Sequence, residues 1–154
     1  MHPAFLELGK YRHHDASTLD HVLKVSYLSW RVCRAFGWNS REAARGGLLH
    51  DFFPYDWHDR DDPAKPDAPH AFAHPRVAVA NARRYFSITA REENIIVRHM
   101  WPVTLIPPRY KESWIISLAD KIVAALEFLN LAASALSDFV DRRRPDPANP
   151  DGNR

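Results

Sequence analysis

Cysteine is almost absent from this chain. Cys33 is the only one, which rules out an internal disulfide and any zinc site built on cysteine pairs. In its setting, SWRVCRAFG, it reads as a small buried apolar residue. Glycine is scarce as well, five in 154 residues, and no glycine-rich phosphate loop is found. Long apolar runs are missing. The greasiest stretch, Trp114 to Leu136, is interrupted by Asp120, Lys121, Glu127 and Asn130, the mark of a buried helix rather than a membrane span. The opening segment MHPAFLELGKYRHH has no apolar core preceded by positive charge, so no signal peptide is expected. Neither sign of charge dominates: the formal balance is +2, and the arginines are scattered rather than interleaved with aromatics, which gives no case for a nucleic-acid polymer as partner. These absences together predict a protein of the reducing cytoplasm with no membrane partner.

What is present reads as helix. Hydrophobic residues make up 45% of the chain, enough for one domain with a real core. Val22, Val25, Leu28, Val32 and Phe36 recur at helical steps over residues 17–36, and Gly37 supplies a stop. Ser40 is expected to cap a second helix carrying Ala43, Ala44, Gly47 and Leu48, small residues that let another helix approach. From Phe53 to Ala73 periodicity vanishes into proline and aspartate, a loop long enough to suggest a lid or binding wall. Helix should resume at His74 with Pro75 at its first position. Thr89 with Glu92 spells a capping box for the next helix, which reaches His99 and ends before Pro102. A second loop, Pro102 to Glu112, precedes a long helix from about Ser113 to Val140. The fold class expected is all-α, a single-domain helical bundle over residues 1–140, with 141–154 a disordered tail. There is no internal repeat and no βαβ alternation.

The chemistry sits in the histidines. His50 and Asp51 close the run GGLLHDFF, His21 lies upstream in TLDHVLKV, His74 and His99 lie downstream in FAHPRV and VRHMWP, and Asp120 completes the series in SLADKIVAALEF. Each falls on, or at the end of, a helical segment. Imidazole and carboxylate together suit iron, manganese, cobalt, nickel or zinc, and six such groups are too many for one tetrahedral ion. Adjacent residues diverge on a helix, so His50 and Asp51 serve one site only if they stand at a helix end. There the imidazole binds one metal while the Asp51 carboxylate bridges to a second. His21 and Asp120 complete the first site, His74 and His99 the second, and two ions so placed can hold a bridging hydroxide for in-line displacement at phosphorus.

The order His, His-Asp, His, His, Asp on helices resembles the HD-domain superfamily of metal-dependent phosphohydrolases, over residues 13 to about 128. It looks most like the small bacterial single-domain members with two additional histidines. The resemblance implies a bundle of the HD-domain type, a basic metal site of His21, His50, Asp51 and Asp120, and a second metal recruited by His74 and His99. It implies two divalent transition-metal ions as cofactor, iron or manganese foremost, with nickel, cobalt, zinc or magnesium as substitutes. Two departures stand out. Many relatives continue the pair as His-Asp-Ile-Gly-Lys, whereas Phe52, Phe53 and Pro54 follow here, so that lysine is missing. Met100 follows His99 where the cyclic-dinucleotide phosphodiesterases double the histidine, which argues against that activity and against a third metal.

The function expected is hydrolysis of a small phosphate ester, a nucleotide or phosphorylated metabolite, with Asp51 at the catalytic centre. The alternative is a mixed-valence di-iron oxygenase of the same fold, acting on a polyol or phosphonate. A binding module that has lost its chemistry is disfavoured, because no ligand position is missing. Arg109, Lys111 and Lys121 are the candidate phosphate contacts, the first two in a proline-stiffened loop and the third beside Asp120. Arg76 and Arg98 are weaker candidates. His2, His58 and His70 read as solvated, and the role of His13 and His14, which precede the first metal helix and could cap or support it, is left open. Asp56, Asp59, Asp61 and Asp62 lack the spacing of a calcium loop and read as a solvated lid. Oligomeric state is left open.

Overall fold

A computed structural model describes residues 2–13, 16–56, 59 and 61–142, the side chains at 12, 13, 16 and 136–142 excepted. The readings of His14, of His58, of the His13 side chain and of the tail from residue 143 lie outside the described residues. The chain is an all-helical, single-domain bundle: α1 (Pro3–Leu6), a 3-10 turn (Glu7–Lys10), α2 (Thr18–Ala35), α3 (Ser40–Leu49), α4 (His70–Tyr85), α5 (Ala90–Arg98) and α6 (Lys111–Arg142). A two-residue antiparallel ladder, Arg12 opposite Ser17 and His13 opposite Ala16, closes the turn before α2. Among the described residues no helix is long and apolar enough to cross a membrane.

Helix α2 begins where Ser17 accepts a hydrogen bond from the Asp20 amide, and Gly37 (φ 66°) follows its end in the left-handed region. The cap of α3 is Asn39, not Ser40: its side chain accepts from the Glu42 amide, and Ser40 is the first helical residue. Thr89 and Glu92 form the expected capping box. Helix α4 starts at His70, one turn before the expected His74, and Pro75 lies inside it. The physical reason is at the site. The extra turn places the His70 carbonyl where His74 Nδ1 can reach it, at 2.7 Å. Helix α6 extends to Arg142, past the boundary drawn at residue 140.

Helix α2 packs on α3 and α6, α3 on α5, and α4 on α5. Two apolar clusters result, and the ligand-bearing helices feed both: α2 gives Val22 to one and Val25 and Cys33 to the other, and α5 gives Ile96 and Ile95 respectively. Cys33 is fully buried, as expected, and burial pushes its thiol up to about 11. The α2–α3 approach depends on glycine. A Cβ at Gly47 would lie 2.8 Å from the Ser26 Cα, and one at Gly46 would lie 2.7 Å from Ile95. The stretch after Asp51 is partly core rather than lid, because Phe52, Phe53 and Tyr55 are all buried. Beyond them carboxylates fold the loop locally: Asp62 accepts from the Asp56 and Ala64 amides, and Asp59 from the Asp61 amide.

Candidate metal centre

The helix ends explain how three imidazoles are aimed. The last carbonyls of a helix have no amide partner within it. His50 is the C-cap of α3 and donates from Nδ1 to the Gly47 carbonyl at 2.8 Å. His99 is the C-cap of α5 and donates from Nδ1 to the Ile96 carbonyl at 2.8 Å. His74, within α4, does the same to the His70 carbonyl. A carbonyl can only accept, so in all three rings Nδ1 carries a proton and Nε2 is the atom turned inward, a lone pair wherever the ring is neutral.

Those Nε2 atoms converge on Asp51 and Asp120. Asp51 Oδ2 lies 3.5 Å from His50 Nε2, whereas Oδ1 lies 3.3 Å from His74 Nε2 and 3.5 Å from His99 Nε2. One carboxylate therefore faces two groups of imidazoles with different oxygens. His50 Nε2 is also 3.6 Å from Asp120 Oδ1, which in turn is 3.1 Å from His21 Nε2. His21, His50 and Asp120 form one cluster able to hold an ion, and His50, Asp51 and His99 a second, with His74 touching the latter. All six residues predicted as ligands thus meet in one buried place. Asp120, the most exposed of them, is only 9% exposed.

Two contacts fit a cation better than they fit protein alone. His74 Nε2 and His99 Nε2 stand 2.8 Å apart, a contact that needs either a proton on one ring or a cation against both. Among the described residues His50 Nε2 is buried with no hydrogen-bond partner. Burial, with His50 and His74 alongside, drives His99 down to about 3, so the His99 ring itself stays neutral and turns a lone pair toward the cluster. The donor set of imidazole and carboxylate suits a transition metal.

His21 is held differently. Its Nδ1 lies 3.0 Å from Glu127 Oε2, and Lys24 pairs with the other oxygen at 2.8 Å. Burial opposes charge on His21, but the contacts with Asp120 and Glu127 outweigh it and hold the ring up at about 9. Glu127, despite burial, is drawn down to about 2 by His21 and Lys24. Burial also opposes charge on Asp120, yet His21 and His50 keep it well below the ordinary carboxylate range. A carboxylate behind a ligand imidazole fixes its tautomer and raises its basicity. Glu127 was not among the predicted site residues. The signal was its place seven residues after Asp120, two turns on and so on the same face.

His70 was read as solvated and is not. Its ring stacks on His74 with centroids 4.4 Å apart, and Tyr55 Oη lies 3.2 Å from its Nδ1. His2 is exposed and caps α1 through Nδ1. Of the three predicted phosphate contacts, only Lys121 is at the cluster. Its ammonium, 3.9 Å from Asp120 Oδ2, donates to the His99 and Ser117 carbonyls at 3.0 Å, and its side chain is 40% exposed. Arg109 and Lys111 lie elsewhere: the Arg109 guanidinium covers Tyr110 and Lys111 covers Trp38. Lys111 begins α6, so it stands about 13 Å along the axis from Asp120. Arg76 and Arg98 line a groove of about 640 Å³ with Phe72, Val97, Leu105 and Ile106. No protein family, curated protein or solved structure matches this chain.

Proposed function

We propose that the protein is a dinuclear metal-dependent phosphohydrolase of the HD-domain type, acting on a small nucleotide or phosphorylated metabolite. The observation that carries this reading is the 2.8 Å approach of two imidazole Nε2 atoms beside a carboxylate whose two oxygens face different ligand groups. His21, His50 and Asp120 would hold one ion, His74 and His99 the other, with Asp51 shared. Two divalent ions, when bound, supply Lewis-acid charge at phosphoryl oxygens and lower the pKa of water into the neutral range.

The chain's own residues do the rest. The Gly47, His70 and Ile96 carbonyls fix three rings before any ligand arrives, so little ordering is left to occur on binding. Glu127 orients His21 from behind. Burial of all six ligands keeps bulk water away and strengthens each electrostatic contact. Lys121 is the cation at hand for a phosphate oxygen, and it also braces the chain end that carries His99. One observation favours the oxygenase alternative: two of the three candidate phosphate cations are turned to aromatic rings away from the cluster.

The test is metal analysis of protein purified without oxygen, paired with a screen of phosphate esters. Hydrolysis supported by several divalent metals in the absence of oxygen is expected. A strict requirement for iron with oxygen consumption on a polyol or phosphonate would replace this reading by its rival. Protein that takes up no metal would end both.

A further inference from the structure

Helix α6 has two seams with opposite fates. The inner seam, Ile116, Ala119, Asp120, Val123 and Glu127, is buried. Continued at helical spacing it reaches Asn130, Leu131 and Ser134, all exposed, so the bundle's core ends there. The outer seam runs Leu118, Ile122, Ala125, Leu129, Ala132, in alternating steps of four and three, and all five are exposed. From 128 to 135 every residue is exposed, although six of the eight are apolar. A helix that stays apolar toward water beyond its own core lacks a covering surface.

We infer that this outward face of α6 is the contact between two copies of the chain, packed antiparallel about a two-fold axis near residue 127. Steps of four and three are the spacing of a two-helix seam. In the antiparallel arrangement Ile122 faces the partner's Ala132, and Ala125 faces the partner's Leu129, so large side chains meet small ones. A parallel pairing would set leucine on leucine and alanine on alanine, which leaves gaps at alternate layers. The area is adequate. Six large hydrophobics on or flanking this face, among them Leu118 at 57%, Leu126 at 56% and Leu129 at 61% exposed, leave roughly 600 Å² open, against about 800 Å² per partner in a standard interface. A lipid surface fits poorly, because helices that lie on membranes carry Lys and Arg along their polar face, and Lys121 is the only cation between residues 114 and 135. The contact does not depend on the reaction assigned above.

Sedimentation velocity or light scattering on the full chain at micromolar concentration should give twice 17.8 kDa. Leu129→Glu should give the monomer, and Phe36→Glu, on an exposed residue at the end of α2, should leave the dimer intact. The orientation is read by mixing two single-cysteine variants, Ala125→Cys and Leu129→Cys, under mild oxidation. Cys33 is buried and does not compete. The mixture should yield several-fold more cross-linked dimer than either variant alone, since disulfides need Cα atoms within about 7 Å. The mixing experiment decides the matter even if Leu129→Glu fails to fold. A wild-type mass of 17.8 kDa overturns the proposal, as does a Leu129→Glu dimer of unchanged strength. Cysteine variants that each link best to themselves overturn the antiparallel seam, and a monomer that binds neutral phospholipid vesicles assigns the face to lipid instead.

Discussion

The two halves of the histidine cluster are built on different principles. His21 is met by two carboxylates, Asp120 at 3.1 Å and Glu127 at 3.0 Å, and Lys24 completes the chain of charges. His74 and His99 meet each other instead, at 2.8 Å, and both face Asp51 Oδ1. The first half is a hydrogen-bonded network that the protein can hold together by itself. The second brings two Nε2 atoms and a carboxylate oxygen together at one point, a crowding of electron-rich atoms. Electrostatic cost of that kind persists in a folded chain only where something else offsets it. On the proposed reading, the second half is where metal is structurally necessary, and the first is where the ligands are best oriented in advance.

The sharpest way to break that contrast is at the residue both halves share. Asp51→Ala should abolish turnover of phosphate esters by at least about a thousand-fold and leave fewer than one ion per chain. Retention of one full ion would show that the halves are independent. Next in size is removal of metal from the wild type. A strong chelator should lower stability by about 3–4 kcal/mol for each ion held at ~100 to 1,000 times its dissociation constant. That corresponds to a fall in Tm of roughly 6–16 °C for a chain of this length. Hydrogen exchange should then rise first at the end of α5, around Ile96 to His99, while α2 around His21 stays protected. Equal loosening of both would remove the asymmetry.

A finer cut separates the halves one at a time. Glu127→Gln keeps shape but removes the charge behind His21. It should weaken the first ion about 10- to 100-fold and leave the second nearly unchanged, read by metal titration. His74→Ala should do the converse. If both variants lose both ions in parallel, the cluster is one cooperative unit.

Much of this was legible in the sequence, and the parts that were not have identifiable causes. The six converging side chains stood out because their helical segments are strongly periodic and because His50-Asp51 makes chemical sense only at a helix end, where α3 indeed stops. That another helix approaches α3 closely was visible in the small residues around Gly47, and the structure shows α2 there. What was missed depends on tertiary context. Pro75 looked like a helix start by local preference. The turn upstream of it is nevertheless helical, and the same turn supplies the His70 carbonyl to a ligand ring. Glu127 and His70 carry no motif of their own, and their roles depend on which ring each helix face meets. Arg109 and Lys111 were placed at the site because two prolines stiffen their loop. Stiffness fixes a loop's shape but says nothing about how far the start of α6 stands from Asp120, more than two turns along the helix.

The smallest expected effects concern these cations, and they test whether charge near the cluster or charge elsewhere matters. Lys121 is beside Asp120 and touches the chain carrying His99. Burial pulls its ammonium below the ordinary lysine range, against the pull of Asp120, so its charge is partly desolvated and effective at short distance. Lys121→Met keeps most of the stem and should lower kcat/KM for phosphate esters about tenfold, the cost of one charge-assisted contact of roughly 1.5 kcal/mol. Arg109→Ala and Lys111→Ala remove charges that rest on Tyr110 and Trp38, and should change kcat/KM by less than about twofold, within the range of ordinary surface substitutions. Raising ionic strength distinguishes the two cases further, because exposed charges are screened and partly buried ones much less so. If Arg109→Ala proves as damaging as Lys121→Met, the substrate reaches across the face of the bundle to the start of α6. The phosphate would then be read at two places rather than one.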